Sequence, residues 1–192
     1  MFNAAPFFIY IVITAYTPGP NNILSMSNAA RYGLRKAFPF NLGIFSGLLI
    51  VMLLCALFSA ALYTLAPKIA LPLKLIGAVY MLYLAYKIYH NAAHIADEER
   101  RASFVSGILL QFVNAKIIIY GVTAMSLYVA PYFSSPLVLA AFALGLALIC
   151  FSANMSWAMF GALFYKLFTK RQKLINTIMA LLLVYCAVSL FL

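Results

Sequence analysis

The chain has 192 residues, 67% of them hydrophobic and only 8% charged, with a net charge of +10. A soluble domain needs far more charge to keep its surface wet, so a soluble enzyme is excluded. The basic residues stand in small groups between apolar runs, which points to membrane topology and away from nucleic acid.

A helix that crosses a bilayer needs about 20 apolar residues. Residues 1–30 carry no charge and hold a first span. This run lacks a basic leader, so it reads as a retained span and not as a cleaved signal. In its middle stands Thr17-Pro18-Gly19-Pro20-Asn21-Asn22. Neither proline can donate a backbone hydrogen bond, their rings clash with the preceding turn, and Gly19 permits unusual dihedrals. Span one is therefore expected to be broken at Thr17–Asn22. A proline suits the first turn of a new helix, with Thr17 or Gly19 as its cap. The restarted helix would point N–H groups and a positive dipole end into the protein, an arrangement that binds a carboxylate. Asn21 and Asn22 add amides that both donate and accept. The plainer alternative is a proline kink that only shapes packing.

Residues 37–67 hold a second span and residues 69–90 a third, with Lys74 snorkelling toward its end. The polar segment Asn91–Ser103 follows and divides the chain into halves. Span four, residues 103–129, carries Gln111, Asn114 and Lys116 at its centre. Asn114 lies about 10 residues past the start, or about 15 Å, which is half of a roughly 30 Å hydrocarbon core. Lys116 is the one charge placed deep in the membrane, where an ammonium costs about 2.5–3.5 kcal/mol on insertion scales. All three acidic residues, Asp97, Glu98 and Glu99, lie in one loop. A substrate carboxylate is thus the partner read for Lys116. The alternatives are snorkelling, or pairing with backbone carbonyls at the break. Residues 117–165 are long enough to complete span four and hold span five, with a turn at Pro131–Pro136 between them. Span five contains Ser152, Asn154, Ser156 and Trp157. These either line a cavity or hydrogen-bond between helices. Residues 174–192 form span six.

The loop charges orient the spans. Arg31, Arg35 and Lys36 follow span one; Lys87, Arg100 and Arg101 follow span three; Lys166, Lys170, Arg171 and Lys173 follow span five. The other side has only Lys68 and Lys74. The positive-inside rule then puts both termini outside and the odd-numbered loops in the cytoplasm. The expectation is one all-α transport domain, residues 1–192, of six transmembrane helices in two inverted three-helix repeats, 1–95 and 103–192. Some internal similarity supports it: Lys74-Leu-Ile opens span three as Lys173-Leu-Ile opens span six, and Leu82, Leu84 and Tyr86 match Leu181, Leu183 and Tyr185. Inverted repeats bind substrate near midplane where the halves meet, so the break in span one should have a counterpart in span four.

Cys55, Cys150 and Cys186 lie in apolar stretches without a CxxC pair and read as packing residues. His90 and His94 are spaced i, i+4 but lack a third ligand, so neither a metal nor a cofactor is expected.

TPGPNN, GLRKAF after it, and the midplane Asn114-x-Lys116 together resemble the LysE/RhtB family of amino-acid exporters, along essentially the whole chain. Residues 50–56, 110–126 and 180–188 are similar to the bacterial branch that exports cysteine and O-acetylserine. The resemblance implies an Asn-Pro-Lys motif in span four, whereas this chain has Asn114-Ala115-Lys116, without that proline. It further implies a multi-pass protein of the bacterial inner membrane. Such a protein expels small neutral amino acids, driven by the proton motive force.

The expected substrate site comprises Pro18, Gly19, Pro20, Asn21, Asn22, Gln111, Asn114, Lys116 and Asn154. The partners are a small amino acid and membrane lipid, with no nucleic acid; a homo-oligomer is compatible with this reading. Two other classes compete: a thiol or electron conduit using Cys55 and Cys150, and a passive channel. Against the conduit, neither cysteine has a basic neighbour to activate a thiolate.

Overall fold

The computed structural model describes residues 2–90, 103–164 and 172–191. Every regular element among them is helical. Helix α1, Ala4–Tyr16, is followed after a three-residue interruption by α2, Pro20–Tyr32. Gly33, at φ 79°, turns the chain directly into α3, Leu34–Leu57. Only glycine adopts that dihedral without strain. Helix α4, Ser59–His90, comes next. Helices α5, Phe104–Val113, and α6, Ala115–Thr123, flank Asn114. A π-helical turn, Ala124–Val129, extends α6. Helix α7, Pro136–Leu163, and α8, Gln172–Ser189, complete the chain.

Two expected boundaries move. The turn between spans two and three falls at Phe58, not near Lys68; beside it stands only Ser59, with no glycine, proline or charge to mark the boundary in sequence. The span-one break is narrower than Thr17–Asn22. Residues 17–19 are extended, and the helix restarts on Pro20, so Asn21 and Asn22 belong to α2. The turn at Pro131–Pro136 stands as read, with Pro136 opening α7.

Helices α3 and α7 are each long and apolar enough to cross a membrane. Helix α5 with the α6–π segment makes a third such length, bent by 65° at Asn114. Helix α1 and residues 173–189 are shorter apolar helices.

Polarity is distributed inside out. Leu137, Leu163, Leu57 and Val79 are each more than two-thirds exposed, while Asn21, Asn22, Ser25, Asn41, Gln111, Asn114 and Asn154 are buried. An apolar exterior around a polar interior is the pattern of a protein whose solvent is lipid. The most polar helix, α2, is the most enclosed, packed against α3 and α7. Helix α3 also packs along α5 and α7, and α4 along α8.

The two ends of the bundle are packed differently. At the Arg31 end, glycines let backbones touch: a Cβ on Gly43 would collide with the Phe104 carbonyl, one on Gly107 with that of Phe40, and one on Gly161 with that of Met26. Small residues supply this close approach in membrane bundles. At the opposite end, rings fill the space. Phe2 meets Phe7 and Phe133 edge-on at 5.5 Å, and Phe7 meets Phe142 at 5.7 Å. Edge-to-face pairs add about 0.5–1.5 kcal/mol each beyond area burial.

Candidate functional site

The interruption of span one frees carbonyls that have no helical partner, and lipid offers none. The structure finds a donor for every one from Ile13 to Gly19. The Thr17 amide bonds Ile13 O at 3.0 Å, and the Thr17 hydroxyl bonds Thr14 O at 3.0 Å. Asn22 Nδ2 donates to Ala15 O and to Thr17 O, both at 2.9 Å. Trp157 Nε1 donates to Tyr16 O at 3.1 Å. Cys186 Sγ donates to Pro18 O at 3.2 Å, and the Ile23 amide to Gly19 O at 2.9 Å.

Lys116 adds a second donor to two of them. Its ammonium donates to Thr17 O at 2.9 Å, Thr17 Oγ1 at 3.1 Å and Pro18 O at 3.1 Å. An ammonium has three donors, and all three are used here. Lys116 reaches them across Gly19, where a Cβ would lie 2.9 Å from Lys116 Cδ. The expected reason for Gly19 was an unusual dihedral. Its φ of −172° is ordinary extended backbone, and what it provides is room for the lysine.

The second break sits at Asn114, ten residues into span four, and forms without a proline. Tertiary bonds hold it. Asn114 Nδ2 donates to Asn21 Oδ1 at 2.9 Å. Asn21 Nδ2 donates to Gln111 Oε1 at 2.8 Å, and Gln111 Nε2 returns to Asn21 Oδ1 at 3.2 Å and to Gly107 O at 3.0 Å. Residues from two broken helices, about 90 positions apart in sequence, thus share one buried amide network.

Of the nine expected site residues, Gly19, Pro20, Asn21, Asn22, Asn114, Lys116 and Asn154 line one cavity. Pro18 joins them through its carbonyl and Gln111 through Asn21. The cavity measures about 20 Å³. That holds a water molecule but not an amino acid. Three buried atoms on its lining residues lack a hydrogen-bond partner: the acceptor Asn114 Oδ1, the donor Asn154 Nδ2 and the Tyr120 hydroxyl. The first turns of α2 and α6 also border it, so two helix N-termini converge there.

Four contributors escaped the sequence reading. Thr17 supplies two acceptors, Cys186 a donor, and Tyr120 and Cys150 border the cavity. Thr17 Oγ1 accepts and Cys186 Sγ donates only through tertiary contacts, and Tyr120 and Cys150 act as walls, so none leaves a local sequence mark. Ser152 and Ser156 bond back to carbonyls of their own helix, so of the polar residues weighed in span five only Asn154 reaches the cavity. Cys55, Cys150 and Cys186 are free thiols, the first two in one apolar cluster. His90 packs on Tyr86, whereas His94 lies outside the described residues.

An inside-out helical bundle with a polar seam between two broken helices is the architecture of a helical membrane protein. The comparison with known proteins specifies it further. Residues 12–192 match the LysE type translocators, and the chain belongs to that family. It is 44% identical over 188 residues to the cysteine/O-acetylserine efflux protein of Salmonella typhimurium, covering 96% of this chain and 95% of that protein. It is 42% identical over 186 residues to the protein of the same description from Escherichia coli K12, at the same coverage. No solved structure matches the chain.

Proposed function

We infer that the chain exports small neutral amino acids, cysteine and O-acetylserine foremost, from the cytoplasm across the bacterial inner membrane. Two inverted repeats, residues 1–95 and 103–192, of three spans each alternate access to one midplane site. Both termini face outside. The relatives' names support the substrate class. The observation that carries the mechanism is the joining of both helix breaks by Lys116 and the Asn21–Gln111–Asn114 network.

The chemistry is an exchange of ammonium groups. Lys116 occupies acceptors of the kind that a substrate's α-ammonium needs. An arriving zwitterion takes the Thr17 and Pro18 carbonyls and Asn114 Oδ1 with its ammonium. Lys116, displaced, turns to the substrate carboxylate, which also meets Asn154 Nδ2 and the first turns of α2 and α6. The net charge of the site is unchanged by the exchange, because a zwitterion adds none. The small cavity corresponds to the state before this exchange, so binding requires the halves to part. Coupling to the proton gradient belongs to the same reading. The described residues contain no Asp or Glu, so the proton travels on Lys116 or on the substrate itself.

The test is flux of labelled cysteine and O-acetylserine in proteoliposomes, with and without a pH gradient. Saturable flux that exchanges across the membrane and accelerates with the gradient is expected. Movement of neither compound would overturn the substrate assignment, and non-saturating flux would favour a channel.

A further inference from the structure

A second cavity, about 330 Å³, opens among α2, α3, α4 and α5 at the Arg31 end of the bundle. Ligand pockets begin at about 300 Å³, so this cavity can hold a small amino acid where the first cannot. Its lining carries two cations. Arg31, in the last turn of α2, donates through Nη2 to Asn176 Oδ1 of α8 at 3.3 Å. Lys87, near the end of α4, donates to the Tyr83 hydroxyl at 2.9 Å and sits 5.0 Å above the Tyr83 ring. Both residues face the cavity, so two fixed positive charges overlook one space at the membrane edge.

The α2 face of this cavity leads to the site already described. Arg31, Asn28, Leu24 and Asn21 follow helical spacing, and Asn21 ends the series in the amide network, about 15 Å from Arg31 along the axis. An apolar cluster, Phe40, Ile44 and Leu110 with Leu24 and Tyr80 packed on it, supplies the apolar part of the second cavity's wall.

We propose that this cavity is a capture site for the carboxylate of the outgoing amino acid, held by Arg31 and Lys87 before the Leu24–Phe40–Leu110 cluster parts to admit it to the break. The proposal rests on the exporter reading and on the orientation that makes the Arg31 end cytoplasmic. Two cations at the mouth raise the local concentration of a carboxylate-bearing ligand, and Asn28 on the cavity wall can face a zwitterion's ammonium.

The experiment measures O-acetylserine uptake into inverted vesicles, where the cytoplasmic face is outward, over a range of substrate and salt. Lys87→Gln and Arg31→Gln are each expected to raise KM about fivefold with Vmax kept, as loss of an initial binding contact does. Lys87→Arg keeps the charge and restores the wild-type KM. Wild-type KM rises with ionic strength, and the double variant loses that dependence. Unchanged KM in both Gln variants, or a fall in Vmax alone, would overturn the proposal and make the two cations structural. An anionic lipid headgroup carries similar charge. A KM effect that appears only when phosphatidylglycerol is added to phosphatidylcholine vesicles would assign the cavity to lipid and overturn the proposal too. Wild-type flux in the same vesicles reports separately on the exporter reading, since its absence contradicts that reading whatever the variants do.

Discussion

Lys116 concentrates most of the site's logic in one side chain. A lysine at midplane with no acid beside it reads, on sequence, as waiting for a substrate carboxylate. The structure gives it the weighed alternative, three oxygens of the span-one break. No sequence signal marks a backbone carbonyl as a partner, because every residue has one. Gly19 is legible only with this geometry, since its lack of a Cβ is what lets the lysine lie across the break. Gly19→Ala is therefore expected to fold, because a flexible lysine tip can move aside. It should still displace Lys116 from its acceptors and lower flux about tenfold. Flux assays beside a thermal melt in detergent separate the two effects. A hydrogen bond to a charged group contributes about 1.5–3 kcal/mol, and 1.4 kcal/mol is a factor of ten.

At the scale of elements, the two breaks arise by different physics. Pro18 and Pro20 make the first one local: the chain there cannot continue as a helix, and TPGPNN declares it. Asn114-Ala115 carries no such instruction. There the break depends on Asn21 accepting the Asn114 amide, and on Gly77 of α4 leaving room for Ala115. Repeat logic anticipates its position, ten residues into span four, but its cause lies in residues far away in sequence. The Phe58 turn is illegible for a simpler reason: Ser59 is the one polar residue beside it, and no glycine, proline or charge marks the position. The glycine contacts between α3 and α5 yield a second prediction. Gly107→Ala would drive a Cβ into the Phe40 carbonyl, and backbone cannot step aside as a lysine tip can. Overpacking of this kind costs about 1–3 kcal/mol. A lowered melting temperature and reduced yield are the expected readout, whereas an unchanged melt would mean that α3 and α5 separate freely.

Over the whole molecule, composition alone announced a membrane protein, and the inside-out burial agrees with it. Charge asymmetry is a property of the full chain and of no single element. Arg31, Lys36 and Lys87 stand at one end of the described bundle, and the aromatic layer around Phe2 and Phe142 at the other. Positive-inside orientation then predicts an external C-terminus. Alkaline phosphatase fused after Leu192 should be active in cells, and a fluorescent protein fused there should stay dark. The reverse result would invert the transport direction assigned to each cavity.

The claim on which the rest depends is that Lys116 trades its place at the break with the substrate. Replacing it with Ala leaves Thr17 O its bond from Asn22 and Pro18 O its bond from Cys186, so no freed carbonyl is fully orphaned and the fold should survive. The decisive measurement is O-acetylserine flux by purified, folded Lys116→Ala in proteoliposomes against wild type. The account predicts a loss of about tenfold or more, the worth of one charge-assisted bond in the loaded site. Flux at the wild-type rate would contradict it and reduce Lys116 to a strap between two helices.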